Sequence, residues 1–276
     1  MIRLLKIEWT KIKTYKVFWI LSGLYFVFLA LGIIMAEFMI NNMIDNMNKH
    51  LPIPVPHVNI YFFPEVWQNI TFFASIRYVL LFPAILVIIL ITNEFTHKTI
   101  RQNVVNGLSK TEFLLSKLYM ILLISIIITV FVTISALIIG ISHTSDITAG
   151  MVTDKLVFIP GFFITILTIM LYAFFFGFIF RNTGLSIALF TLYTLIIEPV
   201  FYYFLKSPLV FKNDISTYLP VNAVLRVTEY PAIPVLKKMM GLNLQDTVTM
   251  GAALIPLLYA TLMVAIVFRT LIKKDL

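Results

Sequence analysis

Two ionisable side chains, Arg77 and Glu198, fall inside long apolar runs of this chain. A charge there costs roughly 2.5–3.5 kcal/mol on insertion scales, so each is a functional candidate by default. Arg77 is about the sixth residue of a run over 72–92, and Glu198 is about the fourteenth of a run over 185–205, next to a helix-kinking Pro199. At 1.5 Å per residue, with the two runs crossing in opposite directions, they lie about 8 Å and about 10 Å from the same boundary. The matching depths predict an intramembrane pair, within one subunit or across a dimer, that locks an outer gate or forms a polar element of a pathway. A purely structural ion pair, or an Arg77 that snorkels beside a protonated Glu198, fits the same positions. Other chemistry is sparse. Ser125, Thr129 and Thr133 stack at four-residue spacing, a stripe that suits close helix packing. His50, His57, His97 and His143 are scattered without clustered acids, and the chain has no cysteine, so no metal site is expected. HExxH, GxSxG and GxxxxGK[ST] do not occur, which argues against the common hydrolases and against a self-contained ATPase.

The elements that must position these residues are membrane helices. Of 276 residues, 60% are hydrophobic and only 12% charged, against about 45–50% and about 25% in soluble domains. Six runs reach the ~20 residues needed to cross a ~30 Å hydrocarbon core: about 17–38, 72–92, 119–141, 156–180, 185–205 and 250–268, the last interrupted by Pro256. The fold class expected is all-α integral membrane, a single transmembrane domain over 1–276. With the N-terminus placed inside, thirteen Lys and Arg fall in inner segments and seven in longer outer ones, so both termini are expected in the cytoplasm. The net charge of +8 then reports orientation and anionic lipid rather than nucleic acid. Rich Ile, Lys and Asn usage points to a bacterial source and hence a plasma (inner) membrane.

Between the spans the sequence is patterned. Residues 1–16 read as an amphipathic interfacial helix, with Ile2, Leu5, Trp9 and Ile12 on one face and Arg3, Lys6, Lys13 and Lys16 beside it. A plain positive-inside anchor would use the same charges. In the outer loop, Pro52, Pro54 and Pro56 favour extended chain, and Tyr61 to Trp67 suits an interfacial aromatic belt. The segment 93–117 is polar and faces the cytoplasm. Ile100, Val104 and Leu108 share a face, Asn106-Gly107 is a helix stop, and Ser109 with Glu112 forms a capping-box signature, so a hairpin of two short helices is expected. Residues 206–249 carry apolar runs too short to span, with Pro208, Pro220, Pro231 and Pro234, and read as partly re-entrant over the outer mouth.

Three stretches carry a resemblance. Glu94 is followed by Lys98-Thr99-Ile100-Arg101-Gln102-Asn103, then by Gly107-Leu108-Ser109-Lys110-Thr111-Glu112-Phe113, and Tyr218-Leu219-Pro220-Val221-Asn222 precedes the last span. With the order of elements, this resembles the permease subunits of ABC-2-type exporters over nearly the whole chain, although Lys98-Thr99 stands where Gly-Thr is common. The resemblance implies that the hairpin is a coupling helix docking on a separate ATP-hydrolysing subunit. Glu94, Lys98, Thr99, Arg101, Gln102, Gly107 and Lys110 would be the contact residues, braced by the N-terminal helix. It also implies a homodimer or heterodimer with a second permease, no cofactor bound directly, and ATP and Mg on the partner. The residues agree: docking features without an ATP site need an external motor. A non-transporting membrane anchor of a secretion, motility or signalling complex is the alternative, and an intramembrane enzyme a weaker one, since one Glu and one Arg are few for catalysis. Peptide, drug and lipid-like cargo all suit so greasy a chain.

Overall fold

Lipid offers a backbone no hydrogen-bond partner, so each apolar run folds as a helix that satisfies its own amides. The computed structural model describes residues 2–49, 59–97, 99, 107–206, 215–228 and 247–273, and the described residues contain helices and no strand. Among the described residues, six helices are long and apolar enough to cross a membrane. In chain order, a short α1 (Ile2–Ile12) precedes α2 (Lys16–Asn48), the first span. Then come α3 (Glu65–Ala74), α4 (Arg77–Thr96) and α5 (Lys110–His143). A single-turn α6 (Ala149–Thr153) leads into α7 (Phe158–Phe180). The fifth span is α8 (Thr183–Leu192), a π-helical turn (Tyr193–Ile197) and α9 (Glu198–Lys206). A short α10 (Pro220–Leu225) precedes the last span, α11 (Met250–Lys273).

The core is built around α7, which packs against α4, α5 and α11. Phe162, Ile166, Ile169, Met170 and Phe174 are buried along it. Gly177 lets α4 come close, because a Cβ there would stand 3.4 Å from the Ile88 Cα. By contrast α2, α8, α9 and α11 expose apolar side chains such as Ile20, Ile34, Val200, Leu258 and Leu262, as helices facing lipid do.

Several boundaries differ from the sequence reading. The second span begins at Arg77 rather than 72, because the chain breaks at Ser75 and at Ile76, which has ψ 132°. Arg77 is therefore the first residue of α4 and not a residue within its body. The expected second arm of the hairpin is not a separate short helix. Ser109 and Glu112 form the reciprocal capping box, but the helix they open runs on without a break as the third span. The tight turn before that box is consistent with Gly107, at φ +90°, a conformation glycine adopts without strain. The aromatic stretch expected at an interface is core instead: Tyr61, Phe63 and Trp67 are buried. Phe63 lies where a Cβ on Gly140 would approach its ring to 2.5 Å, and the Trp67 indole N–H donates to the Val152 carbonyl at 2.9 Å. The hydroxyls of Ser125, Thr129 and Thr133 each bond the carbonyl four residues back, at 2.8–2.9 Å, so that stripe serves packing within and against α5. The Pro52, Pro54 and Pro56 stretch and residues 229–246 lie outside the described residues.

Candidate functional site

The end of the bundle that carries α1 holds a closed ring of buried charge. Leu4, Glu8 and Ile12 recur every fourth residue and form the face of α1 that is buried. The spacing of Ile2, Leu5, Trp9 and Ile12 marks a neighbouring face, on which Trp9 is 51% exposed, as a residue meeting lipid headgroups is. Glu8 is drawn inward because a cation waits there. Lys117, the eighth residue of α5, is 1% exposed and places its Nζ 2.6 Å from Glu8 Oε2. The same Nζ bonds Glu94 Oε1 at the far end of α4. Lys11 closes the ring, 2.9 Å from Glu94 Oε1 and 3.5 Å from Glu8 Oε1. Ser116 Oγ donates to Glu8 at 3.1 Å, and Thr99 Oγ1 donates to both the carbonyl and the carboxylate of Glu94.

Two acids and two bases alternate, so every buried charge has opposite charges on both sides and the ring is neutral. That arrangement offsets a desolvation penalty of several kcal/mol per ion, which a lone pair would offset poorly. Burial pulls the Lys11 ammonium down, but the Glu8 and Glu94 carboxylates outweigh it and hold the group above its ordinary 10.5. Lys11 therefore stays charged through neutral pH.

The ring also joins three segments. Glu94 stands near one end of the segment 93–117 and Lys117 at the other, so its two ends are tied to each other and to α1. Of the residues expected to meet a partner, Glu94 is thus turned inward and Thr99 bonds it. Gly107 is exposed, and the Lys110 Nζ donates to the Ile272 carbonyl at the end of α11, 3.2 Å away. Lys98, Arg101 and Gln102 lie outside the described residues. Arg3, Lys6, Lys13 and Lys16 are exposed. Glu8, Lys11 and Lys117 were missed, although an acid centred in a Leu4–Ile12 stripe was a readable sign of a buried partner.

At the opposite end, Arg77 and Glu198 come together without touching. No direct ion pair joins them; they meet through Asn222 of α10. Glu198 accepts from the backbone N–H groups of Val221 at 3.0 Å and Asn222 at 2.6 Å, and from Tyr193. Arg77 Nη2 donates to Asn222 Oδ1 at 3.2 Å, and its Nη1 donates to the Thr194 carbonyl. The last contact follows from Pro199. In the π-helical turn the Glu198 N–H reaches back five residues to the Tyr193 carbonyl. In that register residue 199 would serve Thr194, but proline has no N–H. Arg77 supplies the missing donor. The depth argument therefore found the neighbours but not their intermediary. The hydroxyl of Thr194 and the Nδ2 of Asn222 are buried there without a protein partner.

Compared with known proteins, residues 4–197 match a family model described as ABC-2 family transporter protein. No curated protein matches the chain.

Proposed function

The chain belongs to the ABC-2 transporter family as a multi-pass membrane permease subunit of an ABC transporter, and from that premise we propose that it is the passive half of an ATP-driven exporter. A separate ATPase, holding ATP and Mg, docks on the coupling hairpin of residues 93–117 from the cytoplasm, where both termini lie. A second permease, the same or different, completes the pathway in a bacterial plasma membrane. The single permease domain over 1–276 moves its cargo, a peptide, drug or lipid-like molecule, outward when the motor closes.

One observation supports this reading above the rest: the feet of the hairpin are fixed to each other and to α1 by the Glu8–Lys117–Glu94–Lys11 ring. A push on the hairpin is then delivered to the first three spans together. At the far end, the Arg77–Asn222–Glu198 nest latches the partly re-entrant outer segment to the second and fifth spans, in keeping with an outer gate. The donors left over on Thr194 and Asn222 suit polar groups moving past it.

The test is co-purification. The tagged chain, expressed with its genomic neighbours and extracted in mild detergent, should retain an ATP-binding protein, and the Lys98→Glu, Arg101→Glu double variant should release it while remaining folded. A well-folded chain that retains no ATPase would instead make it a membrane organiser.

A further inference from the structure

A groove of about 170 Å³ opens on the flank of the bundle between α2, α4 and α5. Its walls include Trp9, Trp19, Tyr25, Phe82, Pro83 and Ile127, and they are almost wholly apolar. Trp19 and Ile127 are each 50% exposed, so the groove faces outward, where the solvent of a spanning helix is lipid. Its size selects its occupant. An apolar cavity of roughly 150 Å³ takes one benzene-sized hydrocarbon, so this groove admits a stretch of one acyl chain and not a partner helix about 10 Å across.

The mouth is basic. Trp9 and Trp19 meet edge to face there, with ring centroids 6.1 Å apart, and the Trp19 indole N–H donates to the Lys13 carbonyl at 3.1 Å. Lys16 precedes Trp19 by one helical turn and so shares its side of α2. Lys13 and Lys16 are exposed, and among the described residues no acid pairs with either. Their neighbour Lys11, by contrast, is consumed by the ring. Tryptophan belongs at headgroup level, so these two cations stand where the phosphate of a lipid would lie if its chain entered the groove.

We propose that this groove, with Lys13 and Lys16, is a specific site for one anionic phospholipid. An acyl chain fills the groove beside Pro83 and the phosphate bridges the two lysines. The site pins the α1–α2 turn, and with it α1, to the headgroup plane. It does not depend on the identity of the motor or of the cargo.

The test is lipid retention by native mass spectrometry. The full-length protein, released from detergent, is titrated with phosphatidylglycerol or with phosphatidylcholine of the same chains. At about a factor of five per lysine, the wild type should prefer phosphatidylglycerol by roughly 30-fold. Lys13→Gln with Lys16→Gln should abolish the preference, and Ser22→Phe, which fills the groove from its wall, should weaken retention of both lipids. Arg3→Gln with Lys6→Gln should leave the preference unchanged. Equal retention of the two lipids by the wild type would overturn the proposal. So would loss of the preference to the same extent in the Arg3 and Lys6 variant, which would show diffuse attraction to the whole basic helix. A Ser22→Phe protein with a wild-type melting temperature and undiminished retention would place the chain elsewhere.

Discussion

Lys117 is the residue on which the α1 end of the bundle turns. It is the fully buried cation of the ring, and to each acid it makes a shorter contact than Lys11 does. Lys117→Met should destabilise the protein by about 3–5 kcal/mol, because Glu8 and Glu94 would then share the half-exposed Lys11. Removing Glu8 as well, as Glu8→Gln with Lys117→Met, should cost less than the sum of the two single changes, and a double-mutant cycle on thermal unfolding in detergent would measure the coupling. The ring also sets a pH window. Lys11 has its folded value raised, so its contribution is complete below 10.5 and is lost as pH climbs through the higher folded value. Melting temperature should therefore show no loss from this group between pH 6 and about pH 10, and a drop attributable to Lys11 near neutrality, absent in Lys11→Met, would contradict the assignment. Glu8 and Lys117 were hidden in the sequence by position: charges near span ends are ordinary, and only the apolar neighbours at four-residue spacing reveal which of them face inward.

The helices themselves were largely legible, since a run of about 20 apolar residues has one stable solution in lipid. What the runs do not encode is where a helix breaks. Ser75-Ile76 is as permissive as its neighbours, and the π-helical turn at Tyr193–Ile197 depends on what Arg77 offers across the bundle. Two packing consequences can be tested. A Cβ added to Gly140 would meet Phe63 at 2.5 Å, so Gly140→Ala should cost about 1–3 kcal/mol, and Phe63→Leu in the same protein should recover part of it. At the end opposite α1, α10 begins at Pro220 and its first N–H groups are taken by Glu198. Glu198→Leu removes both acceptors, and a cysteine placed at Asn222 should then react with a polar thiol reagent several-fold faster than in the Glu198→Gln background, which keeps one acceptor oxygen. Equal rates would show that α10 is held by its apolar contacts alone.

Across the molecule, the charged side chains among the described residues lie toward the two ends of the bundle, with a largely apolar core around α7 between them. The family, shown over residues 4–197, was readable from the stretch that starts at Glu94, which is part of the charged ring, while Tyr218 to Asn222, outside that match, supplies the segment that meets Glu198 and Arg77. The roles within those motifs were not readable. Glu94 was expected to face a partner and instead faces Lys11 and Lys117, because sequence order does not say which side of a helix end is dry. The fixed ends of the 93–117 segment carry a last consequence, for modularity. Since Glu94 is held by Lys11, Lys117 and Thr99, the stretch beyond Thr99, from Ile100 to Asn106, is free to vary without touching the ring. Under the docking proposed above, grafting that stretch from a relative that uses another ATPase should change which ATPase co-purifies, while the melting temperature of the membrane bundle stays where it was.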